Sequence, residues 1–200
     1  MAKADYIKTD KSSGSNNANV NVSSTVDHTG RKARTSILTW KAVNVEDVPA
    51  TVIQAGKPEF VDIADSESAD STGKVVTISG ISNSAKLTFS LGTGNLNISL
   101  PSTYTANSLT VTNGATISGD PGASAEYPFS IRITVPANTG TTDVSRQIIV
   151  TDEGGHQDVC VLTLAGGEPY IRISPTVIEL DWKGTPVTVQ VESNTSWTIE

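Results

Sequence analysis

The 200-residue chain is poor in the residues that carry most protein chemistry. It has a single cysteine, Cys160, so no disulfide can form within it, and that residue sits in the apolar run Val159-Cys-Val-Leu162, where a buried thiol is expected. Its only histidines, His28 and His156, each lie beside turn residues, with no second histidine or cysteine at ligand spacing. The acidic residues Asp62, Asp65, Glu67 and Asp70 lack the ordered spacing and central glycine of a calcium loop and read as a solvated linker. Nucleophile elbows, phosphate loops and dinucleotide fingerprints are absent, so the expectation is no catalytic residue, no metal and no cofactor. No apolar run is long enough to cross a bilayer, and the start, Met1-Ala-Lys-Ala-Asp, carries no secretory hydrophobic region. That start reads as a protein made and left in a cytoplasm, where the sequons at Asn21, Asn97 and Asn194 mean little. The net charge of −7 disfavours nucleic acid as a partner, since phosphate neutralisation needs a Lys/Arg stripe.

What is abundant points to β-structure. Ser, Thr, Val, Asn and Gly dominate, and runs such as Ala18-Asn-Val-Asn-Val-Ser23 and Val187-Thr-Val-Gln-Val191 alternate with period two. Turn signals at Thr29-Gly30, Asn113-Gly114, Asp120-Pro-Gly122, Asn138-Thr-Gly140 and Gly154-Gly155 separate them at the spacing of antiparallel immunoglobulin-like β-sandwiches.

An internal repeat organises these strands. Ala55-Gly-Lys-Pro-Glu-Phe60-Val-Asp-Ile63 returns about 110 positions later as Ala165-Gly-Gly-Glu-Pro-Tyr170-Ile-Arg-Ile173. Gly73-Lys-Val-Val-Thr-Ile78 with Ser82-Asn83 returns as Gly184-Thr-Pro-Val-Thr-Val189 with Ser193-Asn194. Val20, Val22 and Gly30 match Ile131, Ile133 and Gly140, and Arg34 matches Arg146 after a small loop shift. The reading is one complete unit, 58–168, with an apparent insertion over 95–122, flanked by the C-terminal half of a unit at 1–57 and the N-terminal half of one at 169–200.

These residues resemble the BACON domain, an immunoglobulin-like module frequent in proteins of gut Bacteroidetes and of their phages. The N-terminal half of that pattern resembles Ile173-Ser-Pro175, Gly184-Thr-Pro-Val-Thr-Val189, Ser193-Asn194 and Trp197. The C-terminal half resembles Tyr6-Ile7, the Ser13-Gly14 turn, Arg34 opening a strand, and Val52-Ile-Gln-Ala-Gly56. Lys86-Leu87 stands where the middle unit would carry the tryptophan. The resemblance implies a core place for Trp197 and, from the family's name, a carbohydrate-binding role to which no residue can be assigned by position.

A half-domain leaves an apolar face and strand edges open. Residues 169–200 either fold back onto 1–57 of their own chain or complete that half in a neighbour, giving a head-to-tail ring or filament of copies. The linkers Gly56-Lys-Pro58 and Gly166-Gly-Glu-Pro169 favour the neighbour if the middle unit's ends lie far apart. The expected exchange surface is Ile173, Val177, Val187, Val189, Val191 and Trp197 on the donor and Val20, Val22 and Ile37 on the acceptor. Burying the six donor side chains is worth on the order of 10 kcal/mol before ordering costs. Residues 1–58 hold eight basic and five acidic side chains, a net +3, and 169–200 hold two basic and four acidic, a net −2, a complement that would help orientation. The segment Arg31-Lys-Ala-Arg34 reads as a solvated hairpin turn or a contact with an acidic neighbouring subunit.

The expectation is a virion structural protein, a capsid decoration or the base of a head fibre, assembled in the host cytoplasm beside other capsid proteins. The alternative is a carbohydrate-facing adhesin of a phage fibre or a cell surface, with glycans stacking on Tyr104, in the insertion and exposed, or on Trp40 and Trp182. A third possibility is that the last unit continues past Glu200.

Overall fold

The computed structural model describes residues 3–200; Met1 and Ala2, on which part of the reading of the start rests, lie outside it. The described residues are all β, with one 3-10 turn at Pro121–Ala123. The first four strands are β1 (Ile7–Thr9), β2 (Val22–Ser24), β3 (Arg34–Trp40) and β4 (Val48–Gln54). Then come β5 (Val61–Ile63), β6 (Ser66–Ala69), β7 (Lys74–Ser82), β8 (Leu87–Gly94), β9 (Thr103–Ala106), β10 (Leu109–Thr112), β11 (Tyr127–Val135), β12 (Val144–Asp152) and β13 (Gln157–Leu164). The last two are β14 (Ile171–Ser174) and β15 (Gln190–Ser193).

Strands β5 to β13 make two sheets, ordered β10-β9-β11-β7-β5 and β6-β13-β12-β8. Every pairing is antiparallel except β6 with β13. Alternation explains the core they share. In β11, Tyr127, Phe129, Ile131, Ile133 and Val135 point inward while Pro128, Arg132 and Thr134 face solvent. Ile78, Leu87, Phe89, Ile148, Val150, Cys160 and Leu162 meet them from both sheets, and the Phe89 ring packs on Tyr104 and Phe129 with centroids 5.0 and 5.9 Å away. Cys160 is fully buried, as expected, and burial pushes its thiol up to about 11, out of reach of neutral-pH chemistry.

The stretch 95–122 is no appendage. It supplies β9 and β10 to the five-stranded sheet and Leu96, Ile98, Tyr104, Ala106, Val111 and Ile117 to the core. Its hairpin turns at Asn107 and Ser108, both with left-handed φ (47° and 65°), the conformation that a two-residue β-turn requires. The acidic stretch 62–70 is likewise strand and not linker: Asp62 lies on β5 and Glu67 on β6, while Ile63 and Ala69 turn inward.

The chain enters and leaves this unit at opposite ends. Val61 lies opposite Ser82 at one end of β7, whereas Lys74 at the other end pairs with Val135. The exit strand β13 ends with Leu164 beside Ala69, and Asn138, at the same end, donates its backbone N–H to the Ser71 carbonyl (2.8 Å). Nine residues of β7 put about 26 Å between the two ends. Strands β1 to β4 therefore sit at one end and β14 and β15 at the other. Each of these groups forms only two-stranded sheets, β1-β2, β3-β4 and β14-β15.

Candidate assembly site

The repeat is reproduced atom by atom. In the middle unit, Val61 lies opposite Ser82 and Ile63 opposite Gly80; in the last, Ile171 lies opposite Ser193 and Ile173 opposite Val191. The serine that ends the second strand donates its hydroxyl to a backbone carbonyl in both places, Ser82 to Phe60 (2.7 Å) and Ser193 to Tyr170 (2.8 Å). The following asparagine accepts the N–H of that same aromatic residue, Asn83 from Phe60 (3.0 Å) and Asn194 from Tyr170 (2.9 Å). Its amide nitrogen donates to the linker, Asn83 to the Pro58 carbonyl (3.1 Å) and Asn194 to that of Glu168 (2.9 Å).

The first half-unit repeats the end of the middle one as closely. Lys57 donates its N–H to the Gly30 carbonyl (2.9 Å) as Gly167 does to Gly140 (2.8 Å). A Cβ on Gly56 would stand 2.0 Å from the Arg31 carbonyl oxygen, and one on Gly166 2.3 Å from that of Thr141, so both positions require glycine for close approach of two backbones. These pairs all carry an offset of 110, with no loop shift, which sets Arg34 over Val144 and corrects the match to Arg146. The sequence suggested that match because both strands open near an arginine; the glycine contacts fix it two residues away.

In this register Leu38, Trp40 and Val52 correspond to Ile148, Val150 and Leu162, all fully buried in the middle unit. Ile37 corresponds to Gln147 and lies with Thr35 and Thr39 on the face of β3 opposite Leu38. Adjacent apolar residues at Ile37-Leu38 break the alternation and leave the parity of β3 ambiguous in sequence, which is why Leu38 went unnamed.

The first half has the beginnings of a core. Ile7 and Leu38 are buried, and the Arg34 guanidinium lies 3.8 Å from the centre of the Tyr6 ring. Gln54 joins its parts by accepting from Arg34 Nε (2.9 Å) and donating to the Val26 carbonyl (3.2 Å). Clefts of about 250 and 150 Å³ remain open, the larger walled by Lys3, Thr9, Leu38 and Trp40, the smaller by Ile7, Val22, Val52 and Gln54. Tyr6 Oη and Arg34 Nη2 are buried there without a hydrogen-bond partner among the described residues. On the acceptor side Val22 is exposed and Val20 half-buried. On the donor side Ile173, Val177, Val187 and Trp197 are exposed, and Val189 and Val191 half-buried. Nothing in the described chain brings donor and acceptor surfaces together.

The proposed glycan contacts do not form one platform. Tyr104, read as exposed, is 3% exposed and packs on Phe89; the β9 pairing that covers β11 carries it into the core. Trp40 belongs to the open half-core, and Trp182, 89% exposed, stands at the opposite end of the molecule. The histidines make local turn contacts, His156 Nδ1 to Asp152 (2.8 Å) and His28 Nε2 to the Lys32 carbonyl (2.7 Å). Among the described residues no cluster of three or more His, Cys, Asp or Glu could hold a metal.

Arg31 is neither solvated nor reserved for another subunit. It grips Asp120 of the middle unit with two hydrogen bonds (2.5 and 2.7 Å) and donates to the Asn83 carbonyl (3.1 Å). Those bonds from Arg31, opposed by partial burial and helped by Lys32, hold the Asp120 carboxyl below its ordinary 3.8. A depressed folded-state pKa gives stability that is complete above the unfolded value and is lost as pH falls through the folded one. The midpoint of thermal unfolding should therefore exceed that of Asp120→Asn by a constant amount above about pH 5, and the gap should close toward pH 2. A gap that widened in acid would remove the pair from the junction's stability.

No protein-family model matches the sequence, and no curated protein matches it. Among solved structures, an endo-fucoidan hydrolase of glycoside hydrolase family 107 is similar over 82% of this chain, at 8% identity and a TM-score of 0.30. The chain spans 22% of that protein's length.

Proposed function

We propose that this chain is a non-enzymatic structural protein built of immunoglobulin-like, BACON-type sandwiches, which assembles head to tail by exchanging strands between copies. One observation carries the reading. Two-stranded sheets with exposed apolar residues flank the two-sheet unit at opposite ends and repeat parts of its hydrogen-bonding pattern. Intramolecular closure would need the short linkers at 56–58 and 166–169 to return across about 26 Å of sheet, beyond three or four extended residues at ~3.5 Å each. A two-sheet arrangement with the parallel β6-β13 edge is what supports the sandwich assignment.

The setting proposed is a phage virion, as a capsid decoration or the base of a head fibre, with other capsid proteins as neighbours. Its support is the resemblance of residues 1–57 and 169–200 to a domain common in phages of gut bacteria, together with the exposed apolar side chains those residues carry. Light scattering across a wide concentration range is expected to give multiples of 20.9 kDa that persist on dilution, and purified particles are expected to contain the chain. A 20.9 kDa monomer at every concentration would overturn self-assembly, and absence from particles would overturn the virion setting.

A further inference from the structure

The middle unit shows how the two halves fit, because it contains both. There β11 is flanked by β7 and β9, β12 by β8 and β13, and β13 by β6 and β12. In the first half-unit β2 has only β1, and β3 and β4 have only each other. Three strand edges are thus open. The strands that would cover them correspond to β7, β8 and β6; the counterparts of β7 and β6 lie within residues 169–200, and that of β8 only begins there.

We infer, resting on the assembly just proposed, that a second copy of this chain seats its residues 169–200 on residues 1–57 in the register of the middle unit. Ile78 pairs with Ile131 and Val76 with Ile133. Offsets of 111, which carry Ser82 to Ser193 and Val20 to Ile131, place Val189 opposite Val20 and Val187 opposite Val22. The parallel pairing of Glu67 with Leu162 carries over, at 110, to Val177 beside Val52.

Several independent features agree with this register. Each of these six residues is apolar. All six are exposed or half-buried in the single chain, five of them at positions whose middle-unit equivalents are nearly or wholly buried. Residues 1–58 and 169–200 carry opposite net charges, +3 and −2. The incoming strands would also pass over the half-core that holds the unpartnered Tyr6 hydroxyl and Arg34 guanidinium nitrogen. The donor linker continues the same junction, since Asn194 already makes two of the bonds of Asn83, from the aromatic N–H and to the linker carbonyl. Each copy would be donor at one end and acceptor at the other, so that assembly repeats one domain-to-domain step.

Single-cysteine variants test the register. Directly opposed residues of an antiparallel pair stand within disulfide range, and the buried native thiol stays out of the reaction. The full-length variants Val20→Cys and Val189→Cys, mixed and mildly oxidised, are expected to give a cross-linked dimer holding one of each, and neither variant alone is expected to give any. Val20→Cys mixed with Thr188→Cys, which points to the other face, should give at least tenfold less. Ile78→Cys with Ile131→Cys in one chain is the positive control and should close within that chain. A cross-link at Thr188 instead of Val189, or none in a preparation that light scattering shows to be assembled, would overturn the register and leave the assembly standing. A chain that is monomeric throughout, or a Val20→Cys/Val189→Cys double variant that closes within one chain, would overturn both.

Discussion

Val189→Asp is expected to collapse the assembly to single chains of 20.9 kDa while leaving the melting of the middle unit unchanged. In the free chain Val189 is half-buried just before β15, and a carboxylate there keeps most of its water. In the exchanged domain the same position matches Ile78, which is wholly buried opposite Ile131. A charge forced into that place without a partner, added to the loss of the valine's own burial, costs about 3–5 kcal/mol. Against roughly 10 kcal/mol of gross donor burial, that weakens subunit association by about 10² to 10⁴-fold. Thr188→Asp, on the outer face of the same strand, should change association by less than about 0.5 kcal/mol. Light scattering with calorimetry separates the outcomes: a Val189→Asp protein that stays assembled would place the donor strand elsewhere.

Sequence carried the repeat because the repeat resides in residues with few substitutes. The Ser-Asn pair that closes the linker, the glycines pressed on a neighbouring backbone and the alternating valines of Val187-Thr-Val-Gln-Val191 recur at fixed offsets, and each has a physical duty visible in the structure. Cys160 was legible for a similar reason, as a small apolar residue in an apolar run. What escaped notice had no second copy to compare with. The stretch 95–122 looked like an insertion since nothing elsewhere in the chain matches it, yet the edge of β11 has to be covered, and β9 does so, taking Tyr104 with it. Its turn, Asn107-Ser108, lacks the glycine that would have announced a hairpin. The open half-core was legible as a surface but not in detail: the parity of β3 depends on a hairpin register that Ile37-Leu38 leaves ambiguous, and only the Gly56 contact resolves it.

The two linker asparagines make a sharper experiment, because nearly the same hydrogen bonds occur in two different surroundings. Asn83 is fully buried; it accepts from the Phe60 N–H and donates to the carbonyls of Thr29 (3.2 Å), Lys57 (3.3 Å) and Pro58 (3.1 Å), tying the first half-unit to the middle one. Asn83→Ala strands these groups where water cannot replace the side chain, at about 1–3 kcal/mol for each buried group left unpaired. The expected loss is about 3 kcal/mol, or roughly 10–20 °C in the unfolding midpoint of a unit this size. Asn194 is half-buried in the single chain, so Asn194→Ala should cost about 1 kcal/mol there, since water can reach the orphaned Tyr170 N–H and Glu168 carbonyl. Completion by a second copy would bury Asn194 as Asn83 is buried. The Asn194→Ala penalty should then grow with protein concentration, approaching that of Asn83→Ala as the assembly fills. A penalty that stays near 1 kcal/mol in fully assembled protein would mean that no second copy closes over this junction.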